Sequence, residues 1–483
     1  MQAAETELRR AVEQSPPESL YWNRLGMVLG MQQRLEEASA CFERALKLDP
    51  GNLAVRRNLA ASQWQLGRLE DARKNLDLIL AADPSNAQAI LLRSMVAEDL
   101  KDYAKAVKLL TSVLPLVKQR PRSLTALGLS YYRIGQKAKG RETMLLLLEG
   151  PVDPEVVFLA GQIAANEEDY PTAERLFLSI RSTYPEPARL EYSLAVVQYR
   201  ANQFDESQKT LLELVRTGRA SSDIYNLLGW CYDRQQDYQD SVAAFEQAIE
   251  LGPHDESNYV DLGVVLLTTE NYAVALAVAQ RAVESLPPSY RVYTLKGMIE
   301  LRMHYYTDAV KSYARAAELD PSGAEAGVGL ARSQWAAGMA SEALASFEAA
   351  LQKFPRDALL YQEYGRVQLK LAEAGDAASE ARGVALCEKA IALDGSLAEP
   401  HYLLGDLALR KGQTGEALRQ LQRAAKLDPK MSKAHFALSR AYRRLGRKEE
   451  AARELALFQK LTAAEAEHPA ASLLAEMGRI EAE

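Results

Sequence analysis

Residues 22–50 read WNRLGMVLGMQQRLEEASACFERALKLDP, and the offsets inside this stretch decide the fold. Trp22 is followed by Leu25-Gly26, a small residue (Ala38) stands twelve after the glycine, and Pro50 closes the segment twelve further on. YNLLGWCYDRQQDYQDSVAAFEQAIELGP from Tyr225 and HYLLGDLALRKGQTGEALRQLQRAAKLDP from His401 repeat those offsets. Aligned on the glycine, a small residue recurs without a miss: Gly26, Ala60, Ser94, Gly128, Gly161, Ala195, Gly229, Gly263, Gly297, Ala331, Gly365, Gly405 and Ser439. The steps are 34 residues, apart from one of 33 and one of 40. A second small series follows it through Ala38, Ala72, Ala106, Gly140, Ala173, Ser207, Ser241, Ala275, Ala309, Ala343, Gly383, Ala417 and Ala451.

Internal periodicity of this kind reads as a stack of supersecondary units. Each 34-residue unit is expected to form two antiparallel helices, A and B, with the small residues where the two backbones approach too closely for a larger side chain. Trp22, Tyr225, Tyr259, Tyr293 and Tyr361 on A helices, and Phe42, Phe177, Phe245, Tyr313 and Phe347 on B helices, fill the space around them. Proline closes eight of the thirteen units, where it cannot continue helix B. Period-two β patterns are absent, so the fold class is all-α.

The pattern resembles the tetratricopeptide repeat (TPR) family, whose signature is W-x2-L-G-x2-Y, A-x3-F, then P. The resemblance covers residues 19–463 as thirteen full repeats and implies a right-handed α-solenoid. Residues 1–18 match a lone helix B, with Ala4, Leu8, Ala11 and Pro16 in its small, large, small and closing positions. Residues 464–483 are expected to be a capping helix with Leu473, Leu474, Met477 and Ile480 on its apolar side. The repeat from Ala358 carries six extra residues within LAEAGDAASEARG, near Ala372–Gly383, expected to lengthen a helix or loop, with a binding protrusion as the alternative.

At 483 residues, 48% apolar and 25% charged, the chain is ordinary for a folded protein but too long for one compact core. No apolar run approaches the roughly 20 residues that span a bilayer. The N-terminal MQAAETELRRAVEQ lacks the apolar stretch of a signal peptide, which points to the cytoplasm or to a mature, trimmed form. Cys41, Cys231 and Cys387 have neither disulfide nor zinc spacing and read as small buried hydrophobes.

No catalytic constellation, metal site or cofactor motif emerges. The five histidines form no His-x3-His pair, and His401 and His435 occupy the register of Trp22, where packing explains them. There is no P-loop, GxGxxG or GxSxG. The chain reads as a binder.

Stacked repeats are expected to curve with A helices lining the inner surface, and in the family that the chain resembles groove-facing positions lie about three before and one and four after the small residue. There the middle repeats carry Phe158, Tyr192, Tyr199, Trp230, Val260, Val264, Met298 and Trp335, an apolar trough for a partner's segment. Tyr192, Trp230, Val264 and Met298 recur at nearly one repeat's spacing, so one elongated ligand is expected to touch all four. The competing reading packs these side chains between A helices. TPR modules that clamp a C-terminal carboxylate resemble one another in a Lys/Asn set; here Asn23, Met27, Asn58, Gln88 and Leu92 stand there, so that clamp is not expected. The asparagine ladder of the O-GlcNAc transferase superhelix is missing too.

Charge is uneven: residues 101–141 hold ten Lys/Arg against Asp102 alone, and residues 410–448 hold twelve against Glu416 and Asp428. These segments are expected to be solvated, with an acidic protein as the next reading; few interleaved aromatics argue against nucleic acid. The sequence therefore points to a non-catalytic scaffold that binds a protein or peptide along its groove. The alternative is a regulatory or substrate-docking arm of a larger enzyme or complex. Partner identity and oligomeric state are not written in it.

Overall fold

The computed structural model describes residues 2–14 and 18–467. Among these there are twenty-eight α-helices, one 3-10 turn and no strand. The chain falls into two compact parts, Met1–Arg219 and Ala220–Glu483.

The first part contains α1 (Gln2–Gln14), α2 (Ser19–Met31), α3 (Leu35–Leu48), α4 (Leu53–Gln65), α5 (Leu69–Ala82), α6 (Ala87–Asp99) and α7 (Tyr103–Ser112). It continues with α8 (Leu114–Lys118), α9 (Pro121–Arg133), α10 (Lys137–Leu145), α11 (Pro154–Asn166), α12 (Tyr170–Ser179), α13 (Pro187–Arg200) and α14 (Phe204–Arg216). The second part holds α15 (Ser222–Arg234), α16 (Tyr238–Leu251), α17 (Glu256–Thr268), α18 (Tyr272–Ser285), α19 (Tyr290–Arg302), α20 (Tyr306–Leu319) and α21 (Ala324–Ala336). It ends with α22 (Ala340–Lys353), α23 (Ala358–Ala372), α24 (Ala377–Leu393), α25 (Ala398–Arg410), α26 (Thr414–Leu427), α27 (Ser432–Arg444) and α28 (Lys448–Glu467). From α2 onward these are thirteen A/B pairs. The third helix B breaks into α7 and α8 where Pro115 lacks the N–H that would continue it, and the fourth ends in a 3-10 turn, Leu146–Glu149.

The small residues are required by side chains more than by backbones. A Cβ on Gly229 would lie 2.7 Å from the Phe245 ring, one on Gly26 would lie 2.6 Å from Phe42, and one on Gly297 would lie 2.8 Å from Tyr313. In each case the obstructing ring stands sixteen residues later, on helix B of the same repeat. The expected backbone approach appears at Gly365, Gly383 and Gly405, where backbone atoms also come within 3.0–3.3 Å of the added carbon. Gly263 departs from the rule, since its crowding comes from Leu295 on the next A helix.

Every A–B turn contains one residue in the left-handed region. In six repeats it is glycine (Gly67, Gly135, Gly338, Gly375, Gly412, Gly446). In seven it is Gln33, Lys101, Glu168, Asn202, Gln236, Glu270 or His304. The six extra residues of the eleventh repeat extend α23 and α24 to 15 and 17 residues and build no protruding loop.

At the N-terminal end, Leu8 and Val12 of α1 pack against the cluster containing Leu25, Leu29 and Phe42. Glu5 pairs with Arg9 at 2.9 Å and Arg34 at 2.7 Å, and Arg9 reaches Glu37 at 3.0 Å, which ties α1 to the first repeat. The expected closing Pro16 lies outside the described residues. So does most of the expected 464–483 helix, including Leu473, Leu474, Met477 and Ile480; α28 runs unbroken to Glu467.

Candidate interaction surface

Within each part, consecutive A helices adjoin without interruption: α2, α4, α6, α9, α11 and α13 in the first, and α15 through α27 by odd numbers in the second. Among B helices, sustained contact of this kind occurs between α10 and α12. The A layer is the tighter one, hence the inner side of each part.

The residues expected to line a groove divide by environment. Phe158 on α11 and Val260 on α17 are core, at 2% and 3% exposure, and offer nothing to a partner. Phe158 stacks on Tyr184 with ring centroids 4.6 Å apart, and the Arg189 guanidinium lies 4.8 Å from its ring centre. Tyr192, Tyr199, Trp230, Val264, Met298 and Trp335 are half-buried. Tyr192 and Tyr199 sit on α13 in the first part, with Tyr199 tilted against Phe204. Trp230, Val264 and Met298 fall on three successive A helices of the second part, each immediately after the small residue, and rest on one core cluster. Trp335 on α21 packs on a separate cluster that includes Phe347 and Tyr364.

Polar seams between A helices were not foreseen. Asp261 Oδ2 accepts hydrogen bonds from Asn226 Nδ2 at 2.8 Å and Trp230 Nε1 at 3.2 Å, joining α15 to α17. Asn258 is buried at the same seam, donating to Ser222 Oγ at 2.7 Å and to the Ala248 carbonyl at 3.2 Å. In the first part Asn58 donates to Asn23 Oδ1 at 3.1 Å, so these groove amides bond each other. Nothing in the helix period marks such pairs; their signal is a polar residue recurring about 31–36 positions on.

Exposed apolar residues of A helices also lie in the first repeats, ahead of the stretch singled out in the sequence. Leu20, Met27, Met31 and Met95 are all exposed, and Met27 and Met95 share the register of Trp230. Beside them, Trp64 Nε1 donates to Asp99 Oδ2 at 2.6 Å. Burial, reinforced by the Asp99 charge, pushes the Glu98 carboxyl up to about 7.

His401 and His435 each have a side-chain partner on the following helix. His401 Nδ1 lies 2.7 Å from Gln420 Oε1, and buried His435 sits between Glu454 Oε2 at 2.6 Å and the Pro429 carbonyl at 3.0 Å. No group of three or more metal-ligating side chains occurs among the described residues, and no described helix is long and apolar enough to cross a membrane. In the basic segments, Arg133 and Arg141 pair with Glu167 and Asp169, and Arg410, Lys411 and Lys433 with Glu373, Glu380 and Glu399. Part of that charge is thus matched from outside the segments.

Comparison with known proteins accords with this architecture. Residues 1–123 match the family model described as the cytochrome c-type biogenesis protein H TPR domain. Residues 192–256, 294–358 and 402–457 match the tetratricopeptide repeat model. The chain is 21% identical over 252 residues to the CTR9 homolog of Arabidopsis thaliana, covering 50% of this chain and 23% of that protein. It is 33% identical over 112 residues to the peroxisomal targeting signal receptor of Kluyveromyces lactis, covering 20% of each. It is 29% identical over 103 residues to N-alpha-acetyltransferase 16, NatA auxiliary subunit, of Homo sapiens, covering 21% and 12%. The chain thus spans a quarter or less of these relatives. Thirteen helix pairs in one register, with TPR models matching at both ends and in the middle, place the chain in the tetratricopeptide repeat family as an all-α solenoid.

Proposed function

We propose that this protein is a non-catalytic scaffold that holds a segment of a partner protein against the inner A helices. The observation that carries the reading is the row Trp230, Val264 and Met298, which repeats on α15, α17 and α19 in one register and stays half-open. An aromatic and a Met in such a row are the residue types that anchor interfaces. Relatives named as a receptor and an auxiliary subunit support the same class. Cytoplasmic residence belongs to this proposal, and three buried free thiols, Cys41, Cys231 and Cys387, suit a reducing compartment. The test is capture from cell extract with the full chain, its Met298→Ser variant and a Lys137→Glu/Lys139→Glu variant, followed by mass spectrometry. Specific partners lost with Met298→Ser and kept with the charge reversal support it; the reverse pattern moves recognition to the outer face and overturns it.

A second reading, a docking arm within a larger assembly, is favoured by the relative named as a NatA auxiliary subunit. Co-purification of one enzyme in fixed stoichiometry with the chain would select it.

A further inference from the structure

The first three repeats hold four exposed large apolar residues on their A helices. Met27 is 50% exposed, Met31 70%, Met95 40% and Leu20 49%, and all four are on α2 or α6. Large apolar side chains held this open on the inner layer are what a docking face requires, since unbranched Met adapts to varied partner shapes. At the rim of the same face stand Glu98 and Asp99, at the C-terminal end of α6. Asp99 accepts the Trp64 indole N–H, and Glu98 accepts from the Ser130 hydroxyl at 3.5 Å. Neither carboxylate has an ion pair among the described residues. Arg133 on α9, the next A helix, is engaged by Glu167 at 3.1 Å.

We infer that this face, on α2, α4 and α6, receives a protein segment with an apolar stripe edged by Lys or Arg. The apolar side chains would cover Met27, Met31 and Met95, and the cation would settle between Glu98 and Asp99, where two adjacent carboxylates lack a counter-charge. The same pair repels an acidic segment and the phosphates of a nucleic acid. The inference rests on the inner-face reading above and adds the place and the chemistry of the partner.

The test uses the full chain and three labelled peptides with one shared Leu stripe and flanks of Lys, Gln or Glu, followed by fluorescence anisotropy. The Lys peptide is expected to bind at least about tenfold more tightly than the Glu peptide at low salt, with the preference shrinking as salt screens it. Glu98→Gln/Asp99→Asn should abolish the preference while leaving the Gln peptide bound. Met27→Ser/Met31→Ser should weaken the Lys and Gln peptides alike, with unchanged helicity by circular dichroism. Equal or tighter binding of the Glu peptide, a Lys preference that survives the double carboxylate variant, or no binding of any peptide overturns the inference. Because Met298 lies outside this face, its effect on natural partners stands or falls independently of these outcomes.

Discussion

The Trp230 indole N–H and the Asn226 amide converge on one oxygen of Asp261, Oδ2, at 3.2 and 2.8 Å. The Trp230 ring also meets Phe245 edge-on, with centroids 5.5 Å apart. Edge contact on one side and the hydrogen bond on the other fix the indole before any partner arrives. An anchor immobilised in advance loses little side-chain entropy on binding.

Trp230→Phe should therefore separate stability from recognition. It keeps an aromatic ring beside Phe245 and leaves Asp261 with Asn226, so urea unfolding should register a loss of about 1 kcal/mol, one hydrogen bond's worth. Trp230→Ala loses the ring as well and should cost about 2–4 kcal/mol, somewhat less than a fully buried aromatic. Partner capture should fall at least about tenfold with Ala and less with Phe. Unchanged capture in both variants would make the indole a packing element alone.

The Gly229–Phe245 contact gives a second prediction. Gly229→Leu must displace the ring 2.7 Å from its first carbon, at a cost of about 1–3 kcal/mol or more. Phe245→Leu in the same chain should recover part of that loss, giving a coupling in a double-mutant cycle. As a control, Gly415→Ala on α26 meets nothing within 4 Å and should be neutral or stabilising by about 0.5–1 kcal/mol. Strictly additive effects of the Gly229 and Phe245 changes would dissolve the proposed steric link.

The fold was legible because one constraint repeats: a large residue on helix B fills the space over a residue on helix A sixteen positions earlier. Exposure along the inner face was not legible in the same way. Phe158, Val260 and Phe436 all stand three before the small residue, yet two are core and Phe436 is 42% exposed. The difference lies in neighbours from other helices, such as Tyr184 stacked on Phe158, which no helix period reports. Met27 and Met95 were equally hard to rank, because a Met in that register looks the same whether covered or open. The left-handed turn position did leave a signal, glycine seven after the small residue in five repeats.

That turn supplies the third prediction. Lys101 and Glu270 hold φ of 59° and 58°, a conformation that costs an L-residue about 1–2 kcal/mol and glycine far less. Lys101→Gly and Glu270→Gly should each stabilise the chain, by about 0.5–1 kcal/mol after the added freedom of the unfolded state is subtracted. Gly67→Ala should destabilise by about 1 kcal/mol, although nothing lies within 4 Å of the new methyl. A stabilising Gly67→Ala would show that the turn relaxes and that backbone strain is not what glycine relieves there.

The last prediction concerns pH. Glu98 faces Asp99 on its own helix and Ser130 from α9, and its carboxyl is raised from 4.5 to about 7, chiefly by burial and then by the Asp99 charge. A folded-state value above the unfolded one means that the folded chain keeps a proton that the unfolded chain has released. This contribution to stability is fully present below about pH 4.5 and is lost as pH rises toward and through 7. Glu5 and Glu37, held low by Arg9 and Arg34, act in the opposite direction, so the wild-type profile alone is a poor readout. The difference between wild type and Glu98→Gln isolates the group. In urea titrations, the variant should gain stability relative to wild type between about pH 5 and pH 8, with most of the gain accumulated below 7. Adding the Lys-flanked peptide at about pH 6 should release a proton on binding to wild type and none on binding to Glu98→Gln, because a cation beside the carboxyl favours its ionised form. A stability difference that is flat across that range would mean that Glu98 is already ionised in the folded chain and that its burial is too shallow to shift it.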